Sequence, residues 1–254
     1  MYTASPATFQ KDADLPGLVV ELVGPSASGK TTLAKAVVQE FPEVRLVASA
    51  RPAEMETAAR SRLLPVAARG AKIVQAIPHL GNRTRSCDTT ERLIALIPPA
   101  SPLKRLRYRR YLSELSQRLR RERAAGGVAL LDQGFVTAVG SLAAISGTSE
   151  LNILARALSI VPQPDLVVWI ETPREVIAGR LHDRRAAQSA AERLFELGIP
   201  ETLRQIGIFE TLAPLVEASG IPVIRVACPD REALGPAAGA MRGRIAELMR
   251  EKEA

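Results

Sequence analysis

The chain has 254 residues, enough for one sizeable α/β domain with a full core, or two small ones. Hydrophobic residues make up 46% and charged residues 24%, an ordinary globular composition, while aromatics at 4% leave the core to Leu, Val, Ile and Ala. The formal charge of +7 suits an anionic partner, but 28 of the 34 basic residues are Arg, which an Arg- and Ala-rich genome explains as well.

Residues 1–16 read as a loose polar tail. The opening text, "MYTASPATFQKDADLPG", lacks the basic stretch and apolar run of a secretory signal. "LVVELV" (18–23) reads as a strand that is mostly apolar on both faces, as in a covered parallel sheet. A helix is expected from Lys30, with Leu33, Val37 and Phe41 along one face and Pro42 stopping it. "VRLVAS" (44–49) is a second candidate strand. Between Arg51 and Ala100 the text is irregular, with Pro52, Pro65, Pro78, Pro98 and Pro99 punctuating short helical pieces.

The clearest helix lies in 101–127. Ser101 can cap it, Pro102 sits at its first position, and Gly126–Gly127 end it. Leu103, Leu106, Leu115 and Leu119 recur at helical spacing, with Tyr108, Tyr111 and Leu112 between them. "VALL" (128–131) reads as a buried strand ending at Asp132, and helical text follows to about Ile160. "DLVVWIE" (165–171) is another buried strand. Helix resumes from Pro173 through the arginines near 184, then from about Ala190 to Ser219 with a break at Gly198-Ile199-Pro200. "IPVIRVA" (221–227) is the last strand and 230–252 a closing helix. Strands alternating with helices predict a three-layer α/β domain over 17–254 with a mainly parallel five-stranded sheet, and 50–127 as a helical insertion.

The two cysteines, Cys87 and Cys228, lie far apart without partners at metal-ligand spacing, so idle thiols are expected. No segment reaches the uninterrupted apolar length of a membrane span, so a soluble, cytoplasmic protein with no membrane partner is expected. A homodimer is left open.

Gly24-Pro25-Ser26-Ala27-Ser28-Gly29-Lys30-Thr31 fits G-x-x-x-x-G-K-[ST], the Walker A pattern, without a gap. It follows a predicted strand and opens a predicted helix, the context that pattern requires. Glycines let the backbone turn tightly and bring its N–H groups against phosphate oxygens, and the helix start adds partial positive charge. Lys30 is expected to reach the β- and γ-phosphates of ATP, and the Thr31 hydroxyl to ligate Mg²⁺, with Thr32 beside it in the nucleotide-binding set. Asp132, an acidic residue at a strand end, is expected to hold the magnesium beside this loop.

These residues resemble a family. "GPSASGKTT" is similar to the phosphate loop of P-loop kinases for small metabolites, and its SASGKTT part is close to that of uridine kinases. The order of the rest resembles the thymidylate kinase group: a long helix, a strand with "LLDQG", then "PDLVVWIETPREVIAGRLHDRR", similar to a strand, turn and helix entering an arginine-bearing lid. "IPVIRVACPDREALGPAAGAM" is similar to that group's last strand and closing helix. The resemblance implies a P-loop NTPase fold and phosphoryl transfer from Mg-ATP. It also implies that Arg180 and Arg184, with Arg185, clamp the transferring phosphate, a role suited to a planar guanidinium. Thymidylate kinases carry Asp-Arg where this chain has Asp132-Gln133, Glu where Val23 stands, and an acidic residue at Ser26. These departures weigh against thymidylate as the acceptor and leave the donor half of the site untouched.

A monophosphate acceptor needs positive charge, whereas a hydroxyl acceptor benefits from a carboxylate that takes its proton. The insertion offers Arg51, Arg60, Arg62, Arg69, Arg83, Arg85 and Arg92, which favour an anion, beside Glu54, Glu56 and Asp88. Arg51 and Arg62 are the acceptor candidates, since both come soon after the second strand, and Asp132 could itself serve as base. The arginines of 101–127 go round much of their helix with only Tyr108 and Tyr111 to stack, so a solvated helix is favoured over a nucleic-acid face. His79 and His182 receive no role. The reading is an ATP-dependent kinase for a small-molecule acceptor (nucleotide, nucleoside or similar metabolite). The alternative is a nucleotide-dependent switch or accessory ATPase that binds an anionic macromolecule through its arginines. A sulfotransferase-like protein is a weaker third, opposed by the complete G-K-T.

Overall fold

A computed structural model of the chain describes residues 17–47, 88–187, 199–228 and 230–253. Its centre is β1 (Leu18–Val23), buried along its whole length. Strand alternation sends Leu18, Val20 and Leu22 to one face of the sheet and Val19, Glu21 and Val23 to the other. β1 pairs with β3 (Val128–Leu131) on one side and β4 (Leu166–Glu171) on the other. β2 (Val44–Val47) and β5 (Val223–Ala227) form the edges, so the order is β2-β3-β1-β4-β5, and all the pairings are parallel. Asp165 falls just outside its expected strand. Its Oδ2 accepts the Val19 N–H at 2.8 Å and its own N–H donates to Val19 O at 2.8 Å, which pins the start of β4 to β1.

One face is covered by α1 (Lys30–Glu40) and a C-terminal helix (Leu234–Glu253). Leu33, Ala34 and Val37 pack there with Leu18, Val20, Leu22, Leu130, Val168 and Met241. The α1 helix stops as expected at Phe41, whose N–H caps Val37 O before Pro42. The other face carries α2 (Asp88–Leu96), α3 (Pro102–Ala124), α4 (Phe135–Ser146), α5 (Leu151–Ile160) and, after α6 (Arg174–Ala187), α7 (Ile199–Ala218); the C-terminal helix is α8. Val19, Val23, Leu131 and Trp169 meet these helices in a second cluster. Three layers result, as the alternation of strands and helices predicts.

Two expectations change. The helical text after Asp132 divides into α4 and α5 at Gly147, which closes α4 in the left-handed conformation (φ 78°). In α3 the cap at Ser101 holds, its Oγ accepting the Lys104 N–H at 3.2 Å, but the apolar face does not run the full length. Leu112, Leu115 and Leu119 are buried, whereas Leu103 is 77% and Leu106 52% exposed. The helix meets the core from Tyr108 onward, not along its first turn. α2 and α3 are the described helices of the expected 50–127 insertion; Arg51, Arg60, Arg62, Arg69, Arg83, Arg85, Glu54, Glu56, His79 and Cys87 lie outside the described residues, as do the 1–16 tail and Gly198, while Ile199 and Pro200 of the expected break already belong to α7.

Where α4 crosses α7 there is no room for a side chain at Gly140. A Cβ there would stand 2.8 Å from the Phe209 ring and 3.0 Å from Leu212. Both neighbours are core residues that cannot swing into solvent. Gly140→Val is therefore expected to destabilise the fold by about 1–3 kcal/mol through overpacking, read from urea unfolding.

Candidate phosphate-binding site

In a parallel sheet every strand's C-terminal end lies at the same edge, and here four adjacent strands deliver a residue to it. Gly24 follows β1, Asp132 follows β3, Thr172 follows β4 and Cys228 follows β5. The loop 24–29 leaves β1 at the centre of this edge and enters α1 at Lys30. Gly24 has to be glycine: a Cβ would lie 2.9 Å from Ser28 Oγ and 3.3 Å from Ile170 O. Ala27, at φ 64°, is the only non-glycine residue with positive φ among the described residues, a conformation costing about 1 kcal/mol.

The loop's carbonyls are held by side chains. Lys30 Nζ donates to Gly24 O and Pro25 O, both at 2.7 Å. Arg180 Nη1 donates to Ala27 O at 3.2 Å, and the Thr172 hydroxyl to Ser28 O at 2.8 Å. Arg180 Nη2 also donates to Cys228 O at 3.2 Å, so one guanidinium bridges the loop and the end of β5. Of the amides in these peptide units, Pro25 has none, that of Ser26 donates to Gln205 Oε1 at 3.0 Å and that of Ser28 to Pro25 O at 3.3 Å, while Gly29 stands at the N-cap of α1. The Lys30 ammonium supplies a positive field at the loop.

The start of α1 strengthens this field. Gly29 at the N-cap (φ 105°) supplies no side-chain cap, and the first turn contains no acidic residue. Helix geometry leaves its first amides without an intrahelical acceptor and places about half a positive charge there. Lys30 is buried beside them, and the buried Ser28 hydroxyl has no hydrogen-bond partner among the described residues. A polyphosphate fits this donor set. For Mg²⁺ the hard oxygen donors are the exposed Thr31 hydroxyl and the buried Asp132 carboxylate.

A family model described as an AAA domain matches residues 19–197, well over half of the chain. The chain belongs to that family. No curated protein matches it in sequence. Among solved structures, a deoxyadenosine kinase from M. mycoides superposes with a TM-score of 0.53 at 11% identity, covering 91% of this chain and 100% of the other. A thymidylate kinase from Candida albicans gives a TM-score of 0.49 at 13% identity, covering 93% and 94%. The chain shares the α/β fold of that deoxyadenosine kinase, with a parallel five-stranded sheet and flanking helices.

The structure brings Gly24 through Thr32, Asp132 and Arg180 to one edge of the sheet. Arg184 and Arg185 continue α6, but their side chains lie outside the described set. Cys228 is a buried free thiol whose pKa burial pushes up; its carbonyl, not its sulfur, serves the site. His182 is exposed on α6. Thr172, Gln205 and Glu21 were not expected. Thr172 could have been noticed as a hydroxyl placed directly after an apolar strand, and Glu21 as the one charge inside β1.

Glu21 is 1% exposed. Its Oε1 accepts the N–H groups of Gly134 (3.1 Å) and Thr137 (2.8 Å), and its Oε2 accepts that of Val136 (3.2 Å). The carboxylate thus caps α4, whose own N-cap, Gly134, has no side chain to do so. A Cβ at Gly134 would overlap the carboxylate. Glu21 thereby ties the segment just after Asp132 to β1. Burial raises its pKa above the ordinary 4.5, and the amides of Thr137, Val136 and Gly134 offset part of that rise.

Above pH 4.5 the folded chain holds the Glu21 proton more tightly than the unfolded chain, so stability contributed by the group falls as pH rises towards its folded value. In urea unfolding from about pH 4 to about pH 8, Glu21→Gln should gain stability relative to the wild type as pH rises through that window. A pH-independent difference between the two would show that the carboxyl titrates alike in both states.

Proposed function

We propose that this protein is a kinase that transfers a phosphoryl group from Mg-ATP to a small-molecule acceptor. The observation that carries the reading is the loop 24–29, its carbonyls braced by Lys30, Arg180 and Thr172 at the uncapped start of α1, with Lys30 buried there. When bound, ATP supplies the phosphoryl group and Mg²⁺ neutralises charge on its oxygens. Gly24, Pro25, Ser26, Ala27, Ser28, Gly29, Lys30, Thr31 and Thr32 hold the phosphates, and Lys30 moves its ammonium from Gly24 O and Pro25 O onto phosphate oxygens. Thr31 and Asp132 would hold the metal, and Asp132 is also assigned to take a proton from a hydroxyl acceptor.

Arg180 acts here by bracing the loop, and Arg184, one turn further along α6, is assigned to the transferring phosphate. Residues 50–127 are assigned to the acceptor, with Arg51 and Arg62 as its anion contacts. The deoxyadenosine kinase structure holds dCMP and dCDP, which favours a nucleoside or nucleotide acceptor here. Among the described residues no helix is long and apolar enough to cross a membrane, and we place the activity in the cytoplasm.

The test is ADP formation across a panel of nucleosides, nucleotides and sugars, with Mg-ATP as donor. An acceptor that stimulates turnover supports the kinase; turnover that no acceptor increases supports an accessory ATPase instead. Lys30→Ala should lower turnover by at least about 100-fold with the fold intact by circular dichroism. Asp132→Asn should slow turnover and raise the Mg²⁺ concentration needed for half-maximal rate. Arg184→Ala should reduce kcat more than it raises the KM for ATP, as expected of a transition-state contact. Full activity in all three variants would overturn the site assignment.

A further inference from the structure

One more side chain reaches the loop, and it comes from α7. Gln205 lies on α7 and is 3% exposed. Its Oε1 accepts the Ser26 N–H at 3.0 Å, and its Nε2 donates to Ser141 Oγ on α4 at 3.1 Å. The Ser26 N–H can only donate, so it fixes which end of the amide faces the loop. Around it α7 is otherwise apolar: Ile206, Ile208, Phe209 and Leu212 are buried. Packing alone would be served better by Leu or Met than by a buried amide, which costs desolvation unless both ends are satisfied.

Resting on the nucleotide site proposed above, we propose that Gln205 is a positioning residue for the phosphate loop. It sets the Ser26 peptide through an acceptor that has to be neutral, because a polyphosphate is held by the same loop. Its chemistry distinguishes two roles. A glutamate at 205 reproduces the geometry: it accepts from Ser26 N–H, and the Ser141 hydroxyl can turn to donate to it. What it adds is a negative charge beside an anion site. A methionine matches the length and burial of glutamine but removes both hydrogen bonds.

The measurement is calorimetric titration of Mg-ATP into wild type, Gln205→Glu and Gln205→Met, with melting temperatures and hydrogen exchange of the peptide containing Ser26. Gln205→Glu should weaken Mg-ATP binding by about tenfold or more, an electrostatic loss that a purely structural tie between α7 and α4 would not produce. Gln205→Met should bind Mg-ATP several-fold more weakly, lower kcat more than it raises KM, and exchange the loop amides faster. If both variants, or Gln205→Met alone where the glutamate variant does not fold, bind Mg-ATP within twofold of a binding-competent wild type, the proposal is overturned. A folded wild type that takes up no Mg-ATP defeats the nucleotide reading itself, and this proposal with it.

Discussion

A loop that bends as tightly as 24–29 strips its carbonyls of regular secondary-structure partners, and each buried carbonyl then needs a donor. That constraint organises the working edge of this protein. Lys30 serves Gly24 O and Pro25 O, Arg180 serves Ala27 O, and Thr172 serves Ser28 O. The three donors come from α1, from α6 and from the turn after β4. They meet at the loop only because β1 lies inside the sheet, with β4 and then β5 beside it. Each bond contributes about 1 kcal/mol net, so the set holds the loop and the positive φ of Ala27 without a ligand.

The same edge carries the starts of two helices, and the chain treats them oppositely. α4 begins beside Asp132, and its first amides are taken by the Glu21 carboxylate. α1 begins at the loop and has no acidic residue and no side-chain cap. One helix start is neutralised from within and the other is left for a charge from outside. Burying Glu21 is costly, as its raised pKa records, and the strand around it would be filled as well by valine. What the carboxylate secures is the position of the segment that follows Asp132. Buried polar residues concentrate here: Glu21, Ser28, Lys30, Asp132, Thr137 and Gln205 all adjoin the loop or the start of α4.

Away from this edge the packing is of the ordinary apolar kind. Two clusters of aliphatic side chains sandwich the sheet, and aromatic residues enter mainly where Trp169 faces Phe209 at 6.2 Å. Phe209 also closes over Gly140, so α7 is held to α4 by shape as well as by the Gln205–Ser141 bond. The helix that contacts the loop is thus rigidly seated on the helix that follows Asp132. The exposed ion pairs, such as Arg225 with Glu171 and Glu217, add little to this.

The sequence by itself determined the strands, the main helices and the phosphate loop, because these are written in local terms. Short apolar runs, helical spacing, Ser101 before Pro102, and glycine and lysine at set intervals need no distant partner to be read. Asp132 was legible for the same reason, as the acidic end of an apolar run. Only the tertiary structure decided which side chains brace that loop. Thr172 and Gln205 lie 144 and 179 residues from the loop positions they hold, and no spacing rule connects them. It also decided that Leu103 and Leu106, which share a helical pattern with Leu115, stay exposed, because burial depends on where the neighbouring elements end. Hydrogen bonds and close contacts across layers are set by the order of strands in the sheet, and that order arises from global packing rather than from any short stretch of chain.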